Sequence, residues 1–364
     1  MIVAIYIVFF FIILRFTVTL FNFISNPKLP HIANHYTDLV SILIPARNEA
    51  ENILNLLRSI HEQDYRDYEV IILDDDSDDD TYAICSQFAA EHPKFKVIKG
   101  EPLAKGWMGK NYACHQLAKH ARGRFLLFLD ADEKVYKRLI NSAVHRMYLR
   151  KLCLLSLFAN QEMDTIGERS VVPLMHFLLL NLLPLRLIYL VKKRASVAAA
   201  SGQFMLFDAE LYHRHQWHQL VKNKVVEDVE IMKAVKAYGY SGEALLANGM
   251  ISCRMYTNYI DGVNGFSKNF MAPFNYSIPM FLMYIVLVVG GPLLIISTGD
   301  LPLIGQIIGL IILTRVMISL SAGQNTWLNL LLHPVHMFNL AVIAFLAIQQ
   351  QLTKATVWKG RKIS

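Results

Sequence analysis

The chain has 364 residues, and its 36 Lys and Arg against 29 Asp and Glu give a formal net charge of +7. Hydrophobic residues make up 54% and charged residues 18% of the chain, against roughly 45–50% and about 25% in typical soluble proteins. This composition excludes a disordered, collagen-like or ordinary fully soluble protein. Long apolar runs lie at both ends and the middle resembles a soluble domain, so the sequence predicts a soluble domain attached to a membrane.

The first apolar run covers residues 2–24 and is interrupted by few polar side chains, among them Arg15. About 20 such residues cross the hydrocarbon core of a bilayer. A cleaved signal peptide is the alternative, but the run is longer than usual for one, no basic region precedes it and no small-residue cleavage site follows it. We therefore predict a transmembrane helix over residues 1–25.

The next part of the chain alternates short apolar runs with helical patterns. Strands are predicted over 39–45, 69–73, 96–98 and 124–129, and helices over 49–63, 81–91 and 111–121. Such apolar runs are typical of parallel strands buried on both faces. The βαβαβαβ order predicts an open, doubly wound α/β domain, in which ligands bind at the carboxyl ends of the strands.

Three of these strands end in polar, mostly acidic residues. Pro45-Ala46-Arg47-Asn48-Glu49 follows the first strand, an Asp-rich run over 74–80 follows the second, and Asp130-Ala131-Asp132 follows the fourth. Carboxylates at one sheet edge repel one another unless a cation lies between them, and oxygen ligands favour Mg²⁺ or Mn²⁺. Lys110, at the start of a predicted helix, adds a cation suited to phosphate. These residues together predict a metal-dependent nucleotide site at the sheet edge. The alternative is a solvated loop, which is what an Asp-rich run alone usually forms.

Residues 171–191 are apolar over nearly the length of a membrane span but contain two prolines, a histidine and an arginine. We interpret this stretch as a broken interfacial helix, with a true span as the alternative. The following Lys192-Lys193-Arg194 suits anionic lipid head groups.

Three further apolar runs cover 277–298, 301–320 and 327–349. They predict two or three transmembrane helices over 277–350, and the positive-inside rule places the middle of the chain in the cytoplasm. If all three cross, the tail with Lys354, Lys359, Arg361 and Lys362 emerges outside, against that rule, so the third run either crosses or re-enters. Arg315 is expected in a protein interior or near lipid phosphates, because an unpaired charge in the bilayer is costly.

The cysteines and histidines suggest no metal site by spacing. Cys85, Cys114, Cys153 and Cys253 are too far apart for a C-x-x-C site and are predicted to be buried thiols in a reducing compartment. We interpret His213, His215 and His218 as solvated loop histidines, with an extra metal ligand among them as the alternative. No basic stripe interleaved with aromatic residues indicates nucleic-acid binding.

The segments SILIPARNEAENI, YEVIILDDDSDDDT and GKNYACHQLAKHARGRFLLFLDADE resemble the nucleotide-sugar half of the family 2 glycosyltransferases, which have a GT-A fold. The resemblance implies that residues 45–49, with Pro45, Arg47 and Glu49, surround the nucleoside of a UDP-sugar. It places Asp75 on the nucleobase and Lys110 near it. It places Asp130 at the ribose or diphosphate and Asp132 on the metal.

The acceptor half follows the same resemblance. Ser201-Gly202-Gln203-Phe204 resembles the family's small-residue acceptor strand, and Val226-Glu227-Asp228-Val229-Glu230 resembles its E-D motif, whose Asp is the catalytic base. Inverting transfer needs one carboxylate to accept a hydroxyl proton while a metal stabilises the departing diphosphate. The resemblance therefore implies that Asp228 is catalytic, with Gly202, Gln203 and Glu227 near the acceptor or diphosphate. The alternative is the acidic first turn of an ordinary helix over 230–238.

One departure concerns the Q-x-x-R-W motif of processive members, where this chain reads Cys253-Arg254-Met255-Tyr256. Polymer synthesis is therefore not expected. This segment, residues 265–269 and Gly106-Trp107-Met108-Gly109-Lys110 are similar to membrane glycosyltransferases of bacterial carotenoid-acid (diaponeurosporenoate) and hopanoid-linked pathways. The similarity implies that Arg254 or Lys268 contacts the diphosphate, unless they extend to the membrane surface, and that Trp107 flanks the sugar, unless it is a half-buried loop aromatic.

The sequence thus predicts inverting, metal-dependent transfer of a hexose, with glucose preferred, from a UDP-sugar to a lipid such as a carotenoid acid or another isoprenoid. Mn²⁺ or Mg²⁺ is the expected metal. The expected location is the cell membrane, with a cytoplasmic GT-A domain over 38–270 divided into a nucleotide-sugar half, 38–135, and an acceptor half, 136–270. The alternatives are a polyprenyl-phosphate sugar synthase, a glycosyltransferase of a glycerolipid or cell-envelope glycan, and an inactive lipid-binding scaffold.

Overall fold

A computed structural model describes residues 2–192, 194–353, 357–358 and 361–362. The chain divides into two compact units, each built from separate stretches of sequence. Residues 27–160 and 185–253 form an α/β unit, and residues 1–26, 161–184 and 254–364 form a helical unit. The sequence predicts a catalytic domain that ends at residue 270. That boundary stays a prediction, because the two units are defined only by how compactly their residues pack.

The strands of the chain are short and most are buried. They are β1 (Val40–Ala46), β2 (Tyr68–Asp74), β3 (Phe95–Lys99), β4 (Phe125–Leu129), β5 (Glu133–Val135), β6 (Leu154–Phe158), β7 (Asn160–Gln161), β8 (Phe204–Asp208), β9 (Gly242–Leu246), β10 (Ile251–Cys253), β11 (Val357–Trp358) and β12 (Arg361–Lys362). The side chains of β11 and β12, and Lys354 and Lys359 of the predicted basic tail, lie outside the described residues.

The helices fall into short helices of the α/β unit and long apolar helices of the helical unit. In chain order they are α1 (Ile2–Ser25), α2 (Ile53–His61), α3 (Thr81–Glu91), α4 (Gly109–His120), α5 (Leu139–Arg150), α6 (Ile166–Val171), α7 (Pro173–Leu182), α8 (Arg186–Leu190), α9 (Ala209–His215), α10 (Trp217–Leu220), α11 (Glu227–Ala237), α12 (Tyr259–Asn269), α13 (Ile278–Ile285), α14 (Gly291–Ile296), α15 (Leu301–Ala322), α16 (Thr326–Leu331) and α17 (His333–Thr353). A 3-10 turn covers Ala272–Phe274, and a π-helical segment, Val286–Gly290, joins α13 to α14.

Seven strands form the central sheet, in the order β3-β2-β1-β4-β8-β6-β9. Strands β1 to β4 run parallel, as the βαβαβαβ pattern predicts. Helix α2 buries a stripe of residues, Ile53, Leu56, Leu57 and Ile60, at helical spacing, and packs against α3 and β5. Strand β8 departs from an all-parallel sheet because it runs antiparallel to both β4 and β6.

The direction of β8 determines which residues reach the sheet edge. In its register Phe204 lies opposite Leu129, the last residue of β4. Ser201, Gly202 and Gln203 were expected in the acceptor strand, but they precede β8. They therefore lie beside Asp130, whose N–H donates to the Gln203 carbonyl at 3.3 Å.

Among the described residues, four helices of the helical unit are long and apolar enough to cross a membrane: Ile2–Ser25, Ile278–Ile296, Leu301–Ala322 and His333–Thr353. The last one begins at His333 rather than at residue 327, so the expected start was wrong. Residues 326–331 form α16 instead, capped by the Asn325 side chain, which accepts from Leu328 N–H at 3.0 Å. Pro334 falls in the first turn of α17, where a missing N–H is tolerated. Whether α17 crosses or re-enters stays a prediction.

The stretch 171–191 is broken, as its prolines predict. Helix α7 ends at Leu182, two residues before Pro184, and α8 follows from Arg186. Helix α7 belongs to the helical unit and α8 to the α/β unit, so the stretch is not one continuous element. Its interfacial position stays a prediction, and Lys193 of the following basic cluster lies outside the described residues.

We predict that Arg146→Gln destabilises the α/β unit strongly. The Arg146 guanidinium binds both oxygens of Glu243 at 2.6 Å, with side chains 7% and 1% exposed. Removing one partner of a buried pair costs about 3–5 kcal/mol. The matched control is Arg214→Gln, which removes the exposed pair with Glu210 and should cost less than about 1 kcal/mol. Thermal unfolding in detergent measures the stability of both variants. An equal loss of stability in the two variants would show that the buried Arg146–Glu243 pair contributes no more than the exposed pair.

Candidate active site

The loops after β1 and β2 are hydrogen-bonded to each other at the carboxyl edge of the sheet. Asn48 N–H donates to Ser77 Oγ at 3.0 Å, and Glu49 N–H donates to Thr81 Oγ1 at 2.8 Å. Asn48 adopts a φ of 53°, a left-handed conformation that asparagine tolerates. The Asp-rich run is therefore fixed against the first loop rather than being only a solvated loop.

Arg47 and Asp75, both predicted at the nucleoside, come together at this edge. Arg47 Nη1 donates to the Asp75 carbonyl oxygen at 2.5 Å, and the Asp75 N–H donates to the Ala46 carbonyl at 2.8 Å. Asp75 is buried, 7% exposed. Pro45 lies within β1, opposite Leu73 of β2, so it belongs to the strand rather than to the loop. This arrangement gathers the predicted nucleoside residues, whose roles stay predictions.

Lys110 connects the predicted donor and acceptor residues. Its Nζ lies 2.6 Å from Asp130 Oδ1 and 3.2 Å from Glu227 Oε1. Burial alone would lower the pKa of Lys110, but the carboxylates of Asp130 and Glu227 raise it well above its usual value. The lysine is therefore a permanent positive charge between β4 and the first turn of α11.

The segment before α11 holds the start of α4 in place. Met108 N–H donates to the Lys222 carbonyl at 2.7 Å, and Asn111 Nδ2 donates to the carbonyls of Val221 at 2.9 Å and Lys224 at 3.0 Å. These bonds fix Lys110, between Met108 and Asn111, near α11.

Trp107 is half-buried in the same loop, with ring centroids 5.2 Å from Tyr112 and 5.0 Å from His115 of α4. The Trp107 side chain thus packs on α4, the helix that follows it, as a half-buried aromatic residue of a loop does. A role beside the sugar stays a prediction.

Asp228 is held by two backbone N–H groups. Its Oδ2 accepts from Gly202 N–H at 2.9 Å and its Oδ1 from Val229 N–H at 2.7 Å. Burial, together with the negative charge of Glu227, raises the pKa of Asp228 to about 7. A carboxyl group with a pKa near neutrality is suited to proton transfer.

Gly202 allows a close approach that a side chain would block. A Cβ atom at this position would lie 2.9 Å from Lys110 Nζ and 3.1 Å from Glu227 Oε1. Gln203, the next residue, is buried and accepts from Ser201 Oγ at 3.1 Å. The small residue therefore lets the backbone reach the charged side chains of the site.

Asp132, Glu133 and Cys253 form a cluster whose potential metal-ligand atoms lie within 4.8 Å of one another. The pairing of β5 with β10 creates it, because Cys253 lies opposite Glu133. Burial, with the charges of Asp130 and Glu49, raises the pKa of Asp132 to about 6. Burial and Asp132 raise the pKa of Glu133 well above its usual value.

Glu133 is 2% exposed, and neither carboxylate oxygen accepts a well-formed hydrogen bond from a described residue. A buried carboxyl group without partners is unusual, and carboxylate oxygens are ligands for Mg²⁺ and Mn²⁺. The cluster therefore fits a divalent cation. Sequence reasoning missed Glu133, although it directly follows D-A-D. No local signal indicates Cys253, which is far away in the sequence.

The histidines of the acceptor region are not all solvated. His218 is buried with Nδ1 2.7 Å from the Tyr212 hydroxyl, and burial, with the charges of Lys110 and His115, lowers its pKa to about 3. The expectation of a loop histidine was therefore wrong for His218. His215 is half-buried beside Tyr240, and His213 is exposed. Among the described residues, the three do not form a group of potential metal ligands.

The four cysteines are free and buried, as predicted. Cys253 is not an isolated thiol, since its Sγ donates to Asp132 Oδ2 at 3.5 Å.

Arg254 and Lys268 belong to the helical unit. Arg254 pairs with Glu168 at 2.8 Å and with Asp164 at 3.0 Å, so its guanidinium already has carboxylate partners. Lys268 lies in the last turn of α12 and is half-buried. A diphosphate contact by either residue stays a prediction.

Comparison with known proteins identifies relatives of this chain. The model of glycosyl transferase family 2 matches residues 41–221. The 4,4'-diaponeurosporenoate glycosyltransferase of Staphylococcus haemolyticus (strain JCSC1435) is 26% identical over 258 residues, covering 69% of this chain and 66% of the relative. The beta-monoglucosyldiacylglycerol synthase of Trichormus variabilis (strain ATCC 29413 / PCC 7937) is 38% identical over 98 residues, covering 26% of this chain and 20% of the relative. The matches thus span just under two thirds of the first relative and a fifth of the second.

A solved structure shows the same fold. The mannosyltransferase PcManGT from Pyrobaculum calidifontis, in complex with GDP-Man and Mn²⁺, matches with a TM-score of 0.55 and 19% identity, over 97% of this chain and 100% of that one. The mixed α/β sheet and this likeness confirm the predicted GT-A fold.

We predict that the metal-free protein loses stability as the pH rises from about 5 to about 8. Asp132, Glu133 and Asp228 have raised pKa values in the folded state, so they bind protons more tightly there than in the unfolded chain, where carboxyl pKa values are about 4. The stabilising contributions of Asp132 and Asp228 are present below about pH 4 and are lost as the pH rises through about 6 to 7. The raised pKa of Glu133 acts in the same direction.

Melting temperatures in EDTA and in Mn²⁺ test this. Mn²⁺ should raise the melting temperature more at pH 8 than at pH 5, because protons compete for the ligands. Asp132→Asn should weaken the Mn²⁺ response, whereas the control Asp67→Asn, at an exposed position, should retain it. The metal site would be excluded if Mn²⁺ raised the melting temperature equally at pH 5 and pH 8. It would also be excluded if Mn²⁺ raised the melting temperature of Asp132→Asn as much as that of the wild type.

Proposed function

This chain belongs to glycosyl transferase family 2, and from that premise we propose that it transfers a hexose from a nucleotide sugar to a membrane lipid. The observation that carries the proposal is the Asp228 carboxyl group, held by Gly202 N–H beside the Lys110–Asp130 pair. This arrangement supports a role for Asp228 as proton acceptor, next to Lys110 as a cation suited to a diphosphate. UDP-glucose is the proposed donor.

The acceptor class is proposed from the relatives and the apolar helices. Two relatives are named for a carotenoid acid and for a diacylglycerol, both of which are lipids. In the part of the chain that the structure describes, four helices are long and apolar enough to cross a membrane. We propose an acceptor such as a carotenoid acid or another isoprenoid lipid, and a multi-pass protein of the cell membrane with its catalytic residues on the cytoplasmic side.

On the donor side, the residues at the carboxyl edge would bind the nucleotide. Asp75 and Arg47 lie where the two interlocked loops meet, a position suited to the nucleobase and ribose. Lys110 would offset negative charge on the diphosphate as it leaves, because a fixed cation needs little rearrangement to stabilise such charge.

Asp132, with Glu133 and Cys253 beside it, would hold Mn²⁺ or Mg²⁺. A divalent cation at this position supplies positive charge that stabilises a departing diphosphate. Asp130 precedes Asp132 by two residues and already pairs with Lys110 at 2.6 Å. Its negative charge is therefore shared with the lysine.

On the acceptor side, Asp228 would accept the proton of an acceptor hydroxyl as its oxygen bonds to the anomeric carbon. The bond from that carbon to the diphosphate breaks from the opposite face, which inverts the configuration. The pKa of Asp228, about 7, makes this carboxyl group basic enough to accept a proton. An acceptor that is already a carboxylate brings no proton, and for such an acceptor Asp228 would orient rather than deprotonate.

We predict that two substitutions separate donor binding from proton transfer. Asp228→Asn should retain binding of UDP-glucose and lower kcat for a hydroxyl acceptor by about 10²–10⁴-fold, the usual contribution of a general base. Asp132→Asn should abolish Mn²⁺-dependent binding of the donor. Isothermal titration measures binding and transfer of label measures kcat, with exposed Asp67→Asn as control.

Two results would contradict these roles. Wild-type donor affinity in Asp132→Asn would exclude the metal assignment. A hydroxyl acceptor used at the wild-type rate by Asp228→Asn would exclude the general-base assignment.

A further inference from the structure

In the helical unit, one face of α1 mixes buried apolar and polar side chains. Val8, Ile12, Thr19 and Asn22 are its buried residues, and their spacing places them on one stripe. Arg15 falls on the same stripe, three residues after Ile12 and four before Thr19. Helix α1 packs against α7 and α15, so Arg15 is directed into the unit.

Two arginines meet at one aromatic ring in this unit. The guanidinium carbon of Arg15 lies 5.0 Å from the ring centroid of Phe177 on α7, and that of Arg315 on α15 lies 4.9 Å from it. Arg315 is 1% exposed. Two like charges are thus brought to a single apolar ring, which is costly unless negative charge accompanies them.

The polar partners of the two arginines are neutral. Arg15 Nε donates to Asn181 Oδ1 at 3.2 Å, while Arg315 donates to His336 Nδ1 and, at 3.4 Å, to the Asn329 carbonyl. Neither arginine forms an ion pair with a carboxylate of the described residues. Arg254 of the same unit, by contrast, pairs with two acids.

Polar nitrogen atoms around Phe177 also lack hydrogen-bond partners among the described residues. Arg315 Nη1, Asn181 Nδ2 and His333 Nδ1 are buried and have no hydrogen-bond partner among the described residues. The His333 ring lies 6.2 Å from that of Phe177, and Asn181 already uses its Oδ1 for Arg15. The Arg315 and Asn181 nitrogens can only donate. An anionic oxygen group would satisfy these donors and the two charges together.

We propose that Arg15, Asn181, Arg315 and His333, the Phe177 cluster, bind the anionic head group of a membrane lipid through its phosphate or carboxylate oxygens. Guanidinium groups bind both kinds of oxyanion through paired, charge-assisted hydrogen bonds. A lipid is the proposed source, because Arg15 and Arg315 lie on helices apolar enough to cross a membrane and acidic lipids are the anions that a membrane supplies. The proposal uses no residue of the α/β unit and is independent of the transferase assignment.

Native mass spectrometry of the full chain in neutral detergent tests this proposal. The protein is incubated with phosphatidylglycerol, oleate or phosphatidylcholine, which provide an anionic phosphate, a carboxylate and a zwitterionic head group. We expect one phosphatidylglycerol or oleate to be retained at least about tenfold more tightly than phosphatidylcholine, because the choline cation of phosphatidylcholine would add a third positive charge beside the two arginines. Retention of phosphatidylglycerol identifies a phosphate head group, and retention of oleate alone identifies a carboxylate; either supports the proposal.

Variants locate the site. Arg15→Gln and Arg315→Gln should each lower this retention about tenfold, and Arg66→Gln, which removes an exposed arginine of the α/β unit, should not. If Arg315→Gln does not fold, half-buried Arg15→Gln decides the matter. Equal retention of all three lipids, or retention by Arg15→Gln equal to that of the wild type, would overturn the proposal.

Discussion

The antiparallel pairing of β8 with β4 is the constraint on which the rest of the candidate site depends. Because Phe204 lies opposite Leu129, the residues before β8 and those after β4 meet at the same sheet edge. Gly202 can then donate its N–H to Asp228 at 2.9 Å, and Lys110 can pair with both Asp130 and Glu227. A parallel β8 would place Gly202 at the opposite edge, away from Asp130, and the two halves of the site would not meet.

The two units have opposite charge imbalances. At the sheet edge, Lys110 is paired with Asp130 and Glu227, while Asp132 and Glu133 lie close together and have raised pKa values. Around Phe177 of the helical unit, two arginines lie close together, and neither pairs with a carboxylate of the described residues. Burying unmatched charge of either sign is costly. The ligands proposed above, a divalent cation in one unit and a lipid oxyanion in the other, would each supply the opposite charge.

Local patterns predicted the first half of the sheet well. Apolar runs and helical spacing place β1 to β4 and α2 correctly, because burial and periodicity are properties of neighbouring residues. The polar residues after these strands follow from that order. Long-range pairing could not be predicted: Cys253 reaches Asp132 across 121 residues, and Arg254 is paired with Glu168. Likewise, His218 is buried through its contacts with Tyr212 and Phe128, which its loop-like sequence does not indicate.

Transfer of label from a nucleotide sugar into lipid tests the central claim most directly. Membranes containing the protein are incubated with Mn²⁺, radiolabelled UDP-glucose and a total bacterial lipid extract, and label is counted in the organic phase. The account predicts label that requires the wild-type protein, disappears in EDTA and is soluble in organic solvent. Absence of such label with UDP- and GDP-sugars alike, from membranes in which the protein is folded, would contradict the assignment of a lipid acceptor.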